Sequence, residues 1–147
     1  MWPRWLTGRT RPPAEPDPGA EAERLAADWL RARRGFRLVV RNWRNPRDER
    51  EEIDLVCWDG GVLVFVEVKA RARGARVPGY FAVTARKKRV LHRVCRAYVG
   101  RLGTAVTTWR LDVVEVSIPP GGPGAPGTEV LHFENVPLFS KGYRGRR

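Results

Sequence analysis

Apolar residues recur at helical spacing in "GAEAERLAADWLRARRG", residues 19 to 35, where Ala22, Leu25, Ala26, Trp29 and Leu30 form one stripe and Gly35 supplies a stop. One amphipathic helix is predicted there. "FRLVVRNW" (36 to 43), rich in β-branched and aromatic residues, reads as a strand, and "RNPRDER" (44 to 50) as a polar loop. Residues 51 to 69, "EEIDLVCWDGGVLVFVEVK", hold two apolar runs about the turn signal Asp59-Gly60-Gly61 and read as a hairpin. A Gly- and Arg-bearing loop follows over 70 to 83. A second helix is predicted from a Thr84 cap to about Val99, with Leu91, Val94 and Tyr98 inward and Arg86, Lys88, Arg89, Arg93 and Arg96 outward. "VTTWRLDVVEVSI" (106 to 118) reads as another strand, "PPGGPGAPG" (119 to 127) as a flexible loop, and "EVLHFE" (129 to 134) as a last short strand. The order α-β-β-β-α-β-β is that of an α/β fold, a mixed sheet with helices packed on it. Residues 1 to 18 read as a disordered Pro- and Arg-rich arm, 19 to 140 as one domain, and 141 to 147 as a basic tail.

The hairpin carries acidic residues at the outer end of both runs. In a regular strand, residues two apart share a face, so Glu52 with Asp54, and Glu67 with Lys69, are same-face pairs. If Gly60-Gly61 form a two-residue loop, Asp54 lies opposite Glu67; if Asp59-Gly60 do, Glu52 lies opposite Glu67. Either register puts the charged groups on one face, whereas a three-residue loop without a bulge would separate them. Opposed carboxylates about 5 Å apart repel by roughly 3 kcal/mol at an effective dielectric near 20, and one exposed ion pair to Lys69 offsets about 1 kcal/mol at most. A divalent cation reverses that sign, and Mg²⁺ takes a few carboxylate oxygens plus waters and phosphate. The competing reading is a solvated strand face. Against it, Val62 to Val66 are apolar on both faces, as in a buried central strand, so Glu67 and Lys69 lie where that strand emerges.

Charge extends the picture. The chain of 147 residues has a formal net charge of +12, which suits a polyanion such as nucleic acid, because surface cations gain affinity by displacing counterions from phosphates. Lysine occurs only at 69, 87, 88 and 141, so an arginine-rich codon bias accounts for part of the excess. No apolar stretch reaches membrane-spanning length, and the N-terminal segment lacks the apolar centre of a signal peptide. Cys57, Cys95, His92 and His132 have no metal-ligand spacing and read as structural residues of a cytoplasmic chain. Trp29, Trp43, Trp58 and Trp109 read as core rather than base-stacking platforms, and Asp112 as a structural polar contact.

Asp54 followed thirteen residues later by Glu67-Val68-Lys69 resembles the PD-(D/E)XK nuclease signature. "GAEAERLAADWL", "RNWR", "EEIDLV", "VFVEVKAR" and "RLDVVEV", in this order, resemble the YraN family of bacterial proteins, related to Holliday-junction resolvases, over about residues 19 to 116. The resemblance implies a restriction-endonuclease-like fold, a central mixed sheet flanked by helices. It makes Asp54 and Glu67 ligands of Mg²⁺ or Mn²⁺ with the Val68 carbonyl as a third, Glu52 an accessory ligand, Glu23 on the first helix a member of the same cluster, and Lys69 the group that orients or deprotonates water. The implied activity is metal-dependent hydrolysis of phosphodiester bonds in DNA, branched or single-stranded, with DNA favoured over RNA and a homodimer left open. A nucleic-acid binder without catalysis is the alternative, and a basic adaptor for a protein partner the third class. Arg71, Arg73 and Arg76, on the loop leaving the second hairpin strand, are candidates for phosphate contact. Arg41, Asn42, Arg44, Lys87 and Lys88 are weaker ones. The Pro/Gly loop at 119 to 127 departs from the resemblance and is expected to lie remote from the site.

Overall fold

The computed structural model describes residues 17–74 and 83–138. The expected N-terminal arm except for its last two residues, the loop positions 75–82 with Arg76, and the basic tail lie outside the described residues.

Helix α1 spans Pro18–Arg34. Asp17 caps it by accepting from the Gly19 N–H at 3.0 Å, and Pro18 stands in the first turn, where its missing N–H costs nothing. Gly35 ends it in the left-handed conformation (φ 68°), and the Gly35 and Phe36 N–H groups close back on the carbonyls of Arg31 and Leu30. The helix buries Ala22, Ala26, Ala27 and Leu30. Three of these are alanines, which lets the helix lie close on the sheet.

The strands are β1 (Arg37–Asn45), β2 (Asp48–Asp59), β3 (Val62–Ala72), β4 (Trp109–Ile118) and β5 (Glu129–Phe133), ordered β1-β2-β3-β4-β5 in one sheet. All neighbours are antiparallel except β3 and β4, which are parallel and joined through helix α2 (Ala85–Leu102). Parallel neighbours need such a crossover. The mixed α/β architecture expected from the pattern is present. Thr84 caps α2 as expected, its Oγ1 accepting from the Lys87 N–H at 3.1 Å. The helix runs three residues past Val99, and a 3₁₀ turn, Gly103–Ala105, follows.

Most of the predicted polar loop at 44 to 50 is strand instead. Only Pro46 and Arg47 remain outside, because the outer hairpin is held by polar pairs that composition alone does not reveal: Arg44 with Glu52, and Asn45 with Glu51.

The sheet separates two cores. Under α2, Ile53, Val56, Phe65, Leu91, Val94 and Leu111 pack together; under α1, Ala26, Leu30, Leu55, Val64, Val66 and Val114 do so. Leu63 to Val66 of β3 are fully buried, as the expected central strand requires. Trp43, Tyr98, Phe65 and Trp109 meet edge to face in sequence, with centroids 5.0 to 5.6 Å apart. The four core tryptophans thus pack against one or other cluster. Burial pushes the Cys57 thiol up to about 12 and the Cys95 thiol well above its usual value, so both are unreactive packing groups. Among the described residues no helix is long and apolar enough to cross a membrane.

Candidate functional site

The β2–β3 hairpin closes on Gly60-Gly61, with Asp59 opposite Val62 and Gly60 at φ 55°. This is the register that brings Asp54 opposite Glu67. Pairing stops one step earlier, at Leu55 with Val66, and the strands part. In the gap the Asp54 carboxylate replaces a strand carbonyl: its Oδ2 accepts from the Val68 N–H at 2.7 Å.

A break in alternation produces the gap. Ile53 and Val56 both face the α2 core although they are three residues apart, and Val40 and Trp43 on β1 do the same. A regular strand sends such pairs to opposite faces. The shift falls at Asn42 and Asp54, which stand across from each other between the register pairs Arg41–Leu55 and Trp43–Ile53. Asn42 absorbs it with a left-handed φ of 51°, a conformation asparagine tolerates better than most side chains.

The break corrects the expectation that Glu52, Asp54, Glu67 and Lys69 share one face. Glu67 follows Phe65 on the α2 side, is buried, and is paired through Oε1 with Lys69 Nζ at 3.1 Å and Lys87 Nζ at 3.3 Å. Its Oε2 is buried and has no hydrogen-bond partner among the described residues. Glu51 turns to α2, where it accepts from Arg93 Nε at 2.8 Å and from Asn45 Nδ2 at 3.0 Å. Glu52 therefore leaves by the opposite face and pairs with Arg44 at 3.1 Å. Asp54 stands between the two faces.

Glu23 reaches this gap from α1. Burial raises its carboxyl above the ordinary range, a hydrogen bond from Asn42 opposes the rise, and repulsion from Glu52, Asp17 and Glu67 adds to it. Asp54 is pushed up to about 7, first by burial and then by the Glu67 charge, with Glu23 adding to the rise and the Val68 N–H and Lys87 opposing it. Glu23, Asp54 and Glu67 thus repel one another, and Glu52 adds to the repulsion on Glu23.

Among the described residues no three His, Cys, Asp or Glu groups form a ready metal cage. The donors that do fit a hard cation are the Glu67 Oε2, an Asp54 carboxylate that burial and repulsion make eager to gain positive charge, and the carbonyl of Val68, the residue whose N–H Asp54 accepts. Such a set suits Mg²⁺, which keeps waters and takes phosphate oxygens. Lys69 and Lys87 then stand on the far oxygen of Glu67.

Of the residues expected to touch phosphate, Arg44 is engaged with Glu52 and Asn42 with Glu23, while Arg41 is exposed on the edge strand. Arg71 and Arg73 line a shallow cavity with Ile118, Pro119 and Pro120 where β3 and β4 end. The Pro/Gly loop reaches Arg73, since a Cβ on Gly127 would come within 2.7 Å of Arg73 Nη1. Lys87 belongs to the carboxylate centre rather than to an outlying surface, a placement that depends on how α2 docks and has no local signal. Lys88 is half-buried beside it.

Asp112 is a structural group. It is fully buried and accepts from Arg110 Nε at 2.9 Å and the Asn135 N–H at 2.9 Å, and lies 2.8 Å from His132 Nε2. The network ties β5 and the segment after it to β4.

Comparison with known proteins matches residues 22–116 to "Uncharacterised protein family UPF0102". A UPF0102 protein of Symbiobacterium thermophilum is 49% identical over 106 residues, 71% of this chain and 85% of that protein. A UPF0102 protein of Anaeromyxobacter dehalogenans is 43% identical over 115 residues, 78% and 79% of the two chains. One of Chlorobaculum parvum is 40% identical over 98 residues, 67% and 73%. The matched span contains Glu23, Asp54, Glu67, Lys69 and Lys87.

Proposed function

We propose that this chain, which belongs to the UPF0102 family, is a divalent-metal-dependent nuclease that hydrolyses phosphodiester bonds in DNA, branched or single-stranded. The observation that carries the reading is the buried Glu67 Oε2, without a partner among the described residues, next to a desolvated Asp54, with two lysines on the opposite Glu67 oxygen. Buried acceptors are nearly always satisfied, so an orphan of this kind calls for a cationic or proton-bearing partner.

Asp54, Glu67 and the Val68 carbonyl would hold Mg²⁺ or Mn²⁺. When bound, the cation supplies a more acidic water and neutralises charge developing on the phosphate oxygens. Lys69 would orient the attacking water, whose proton leaves to solvent, and its positive charge would offset the negative charge developing on the phosphorane. The water oxygen forms a bond to phosphorus, the bond from phosphorus to the leaving oxygen breaks, and that oxygen gains a proton. Lys87 and Lys69 fix the Glu67 carboxylate so that Oε2 stays directed at the centre. The Val68 N–H fixes Asp54 in the same way. Glu23 sits close enough to add its field and reaches the gap from α1.

A second reading, a nucleic-acid binder with this architecture and no turnover, draws on one observation: the Glu67 charge is paired with two lysines. Incubating the purified protein with fork, junction, single-stranded and duplex DNA and with RNA, in Mg²⁺ or Mn²⁺, separates the two. Cleavage abolished by Lys69→Ala, with affinity nearly unchanged, supports the nuclease. Binding without cleavage under either metal supports the binder.

A further inference from the structure

Helix α2 breaks a rule of helix electrostatics. The positive end of a helix dipole favours acidic side chains, as Glu21 in the first turn of α1 illustrates. The first turns of α2 hold Arg86, Lys87, Lys88 and Arg89 with no acidic residue. Lys87 is accounted for by Glu67. The others stand at the start of a longer row: Arg86, Arg89, Arg93 and Arg96 follow one another at spacings of three and four, so they share one face, with Arg101 a turn further on.

This face is one wall of a groove. The end of the β1–β2 hairpin, with Arg47 and Arg50, forms the other, and Glu51 and Arg93 line it along its length. Its carboxylates are already used. Glu51 is held by Arg93 and Asn45, and Asp48 by Arg50. Among the described residues no carboxylate stands within ion-pair distance of Arg47, Arg86, Arg89, Arg96 or Arg101. Arg86 and Arg89 stand at the positive end of the dipole, and the row they begin sets like charges three and four residues apart. It does not serve stability.

We infer that the groove between α2 and the β1–β2 hairpin is a track for the phosphate backbone of DNA that leads away from the Asp54–Glu67 centre. The inference rests on the nuclease or binder reading above and adds a second surface to it, distinct from Arg71 and Arg73 at the other end of β3. Three features fit a phosphate chain better than an isolated anion. The groove begins at Arg86, the residue before Lys87, so it starts at the end of α2 that meets the centre. Its arginines are spread over fifteen residues of helix, about 22 Å, which spans about six base pairs of duplex. Arginine pairs bidentately with phosphate, and lysine is absent from the row after Lys88.

The test is the triple variant Arg89→Ala, Arg96→Ala, Arg101→Ala, all exposed positions outside the carboxylate centre. Binding to a 24-base-pair DNA duplex, to an RNA duplex of the same length and to polyglutamate is measured by fluorescence anisotropy between 50 and 200 mM salt. Each lost phosphate contact lowers the salt slope by about 0.9, so the wild type should lose about forty-fold more DNA affinity over that range than the variant. A DNA duplex with uncharged methylphosphonate linkages should not distinguish the two proteins. Unchanged DNA affinity and slope in the variant would overturn the track while leaving cleavage, and its loss in Lys69→Ala, intact. Loss confined to the RNA duplex or to polyglutamate would overturn it in favour of that partner. A wild type that binds no DNA at 50 mM salt would overturn it too. A wild type that binds but never cleaves, with the variant weakened, refutes the nuclease and keeps the track.

Discussion

Asp54 Oδ2 accepts the Val68 N–H at 2.7 Å across the point where β2 and β3 separate. The bond lets a carboxylate stand in the place of a main-chain carbonyl. The site therefore begins where the ladder ends.

Replacing Asp54 by Asn keeps an oxygen for that N–H and removes the repulsion with Glu67 and Glu23. The folded-state carboxyl titrates near 7 against an ordinary value of 3.8. For an acid whose folded value is raised, the folded state holds its proton more tightly, so stability falls as pH rises from about 4 to about 7 and stays reduced above. At about 1.4 kcal/mol per pH unit of displacement the effect amounts to a few kcal/mol. Without divalent cation, Asp54→Asn should melt higher than the wild type at pH 8 and lack the slope between pH 4 and 7. Mg²⁺ or Mn²⁺ should raise the wild-type Tm and do less for the variant. Thermal melts across pH, with and without metal, check all three outcomes.

Lys87 opposes a cation at Glu67 and helps ionise Asp54. At pH 8, where Asp54 is already ionised, Lys87→Met should bind Mn²⁺ several-fold more tightly, the equivalent of one ion pair of about 1 kcal/mol. Near pH 6 the gain should vanish, because Asp54 now keeps its proton. Titration calorimetry at the two pH values reads the difference, and a cleavage assay should show reduced turnover throughout.

Asn42 has a backbone role and a side-chain role, and two substitutions separate them. Asn42→Gly keeps the left-handed φ without strain, while Asn42→Ala adds about 1 to 2 kcal/mol of steric cost. Both lose the hydrogen bond to Glu23. Denaturant melts should place Gly close to wild type and Ala below it, with equal loss of activity if the contact to Glu23 matters to the site.

Asp112→Ala should destabilise the fold by about 3 kcal/mol, since it takes the acceptor from the buried His132 ring and the Asn135 N–H and leaves Arg110 with Asp59 as its close partner. Burial works to raise the Asp112 carboxyl, but the bonds from His132, Arg110 and the Asn135 N–H prevail and hold it below 3.8. A lowered acid contributes stability above its unfolded value and loses it in acid, so this stabilisation should disappear as pH falls below about 4. Urea titrations at pH 7 and pH 3 should show a large gap between wild type and variant at the first and a smaller one at the second.

The central part of the site was legible in the sequence down to a choice of two registers. The Asp59-Gly60-Gly61 signal leaves both open, and the loop on Gly60-Gly61 is the one that brings Asp54 across from Glu67. The apolar run before Glu67 marks a buried strand whose end emerges at Lys69. What could not be read depends on backbone angles or on remote docking. The shift of alternation at Asn42 and Asp54 sends Glu52 to the other face, and nothing in the spacing of acidic residues encodes it. Lys87 meets Glu67 only because α2 packs under Phe65. His132 and Asp112, twenty residues apart, become partners through the β4–β5 pairing.

The Val68 amide also makes the centre observable in the protein alone. Its proton is held by one side-chain charge rather than by a neighbouring strand, so its resonance frequency and its rate of exchange with solvent follow the ionisation of Asp54. A pH titration of this single amide by nuclear magnetic resonance should give a midpoint near 7, and a bound divalent cation should move that midpoint down. The parted strands thus leave a spectroscopic handle on the carboxylate, readable before any substrate is known.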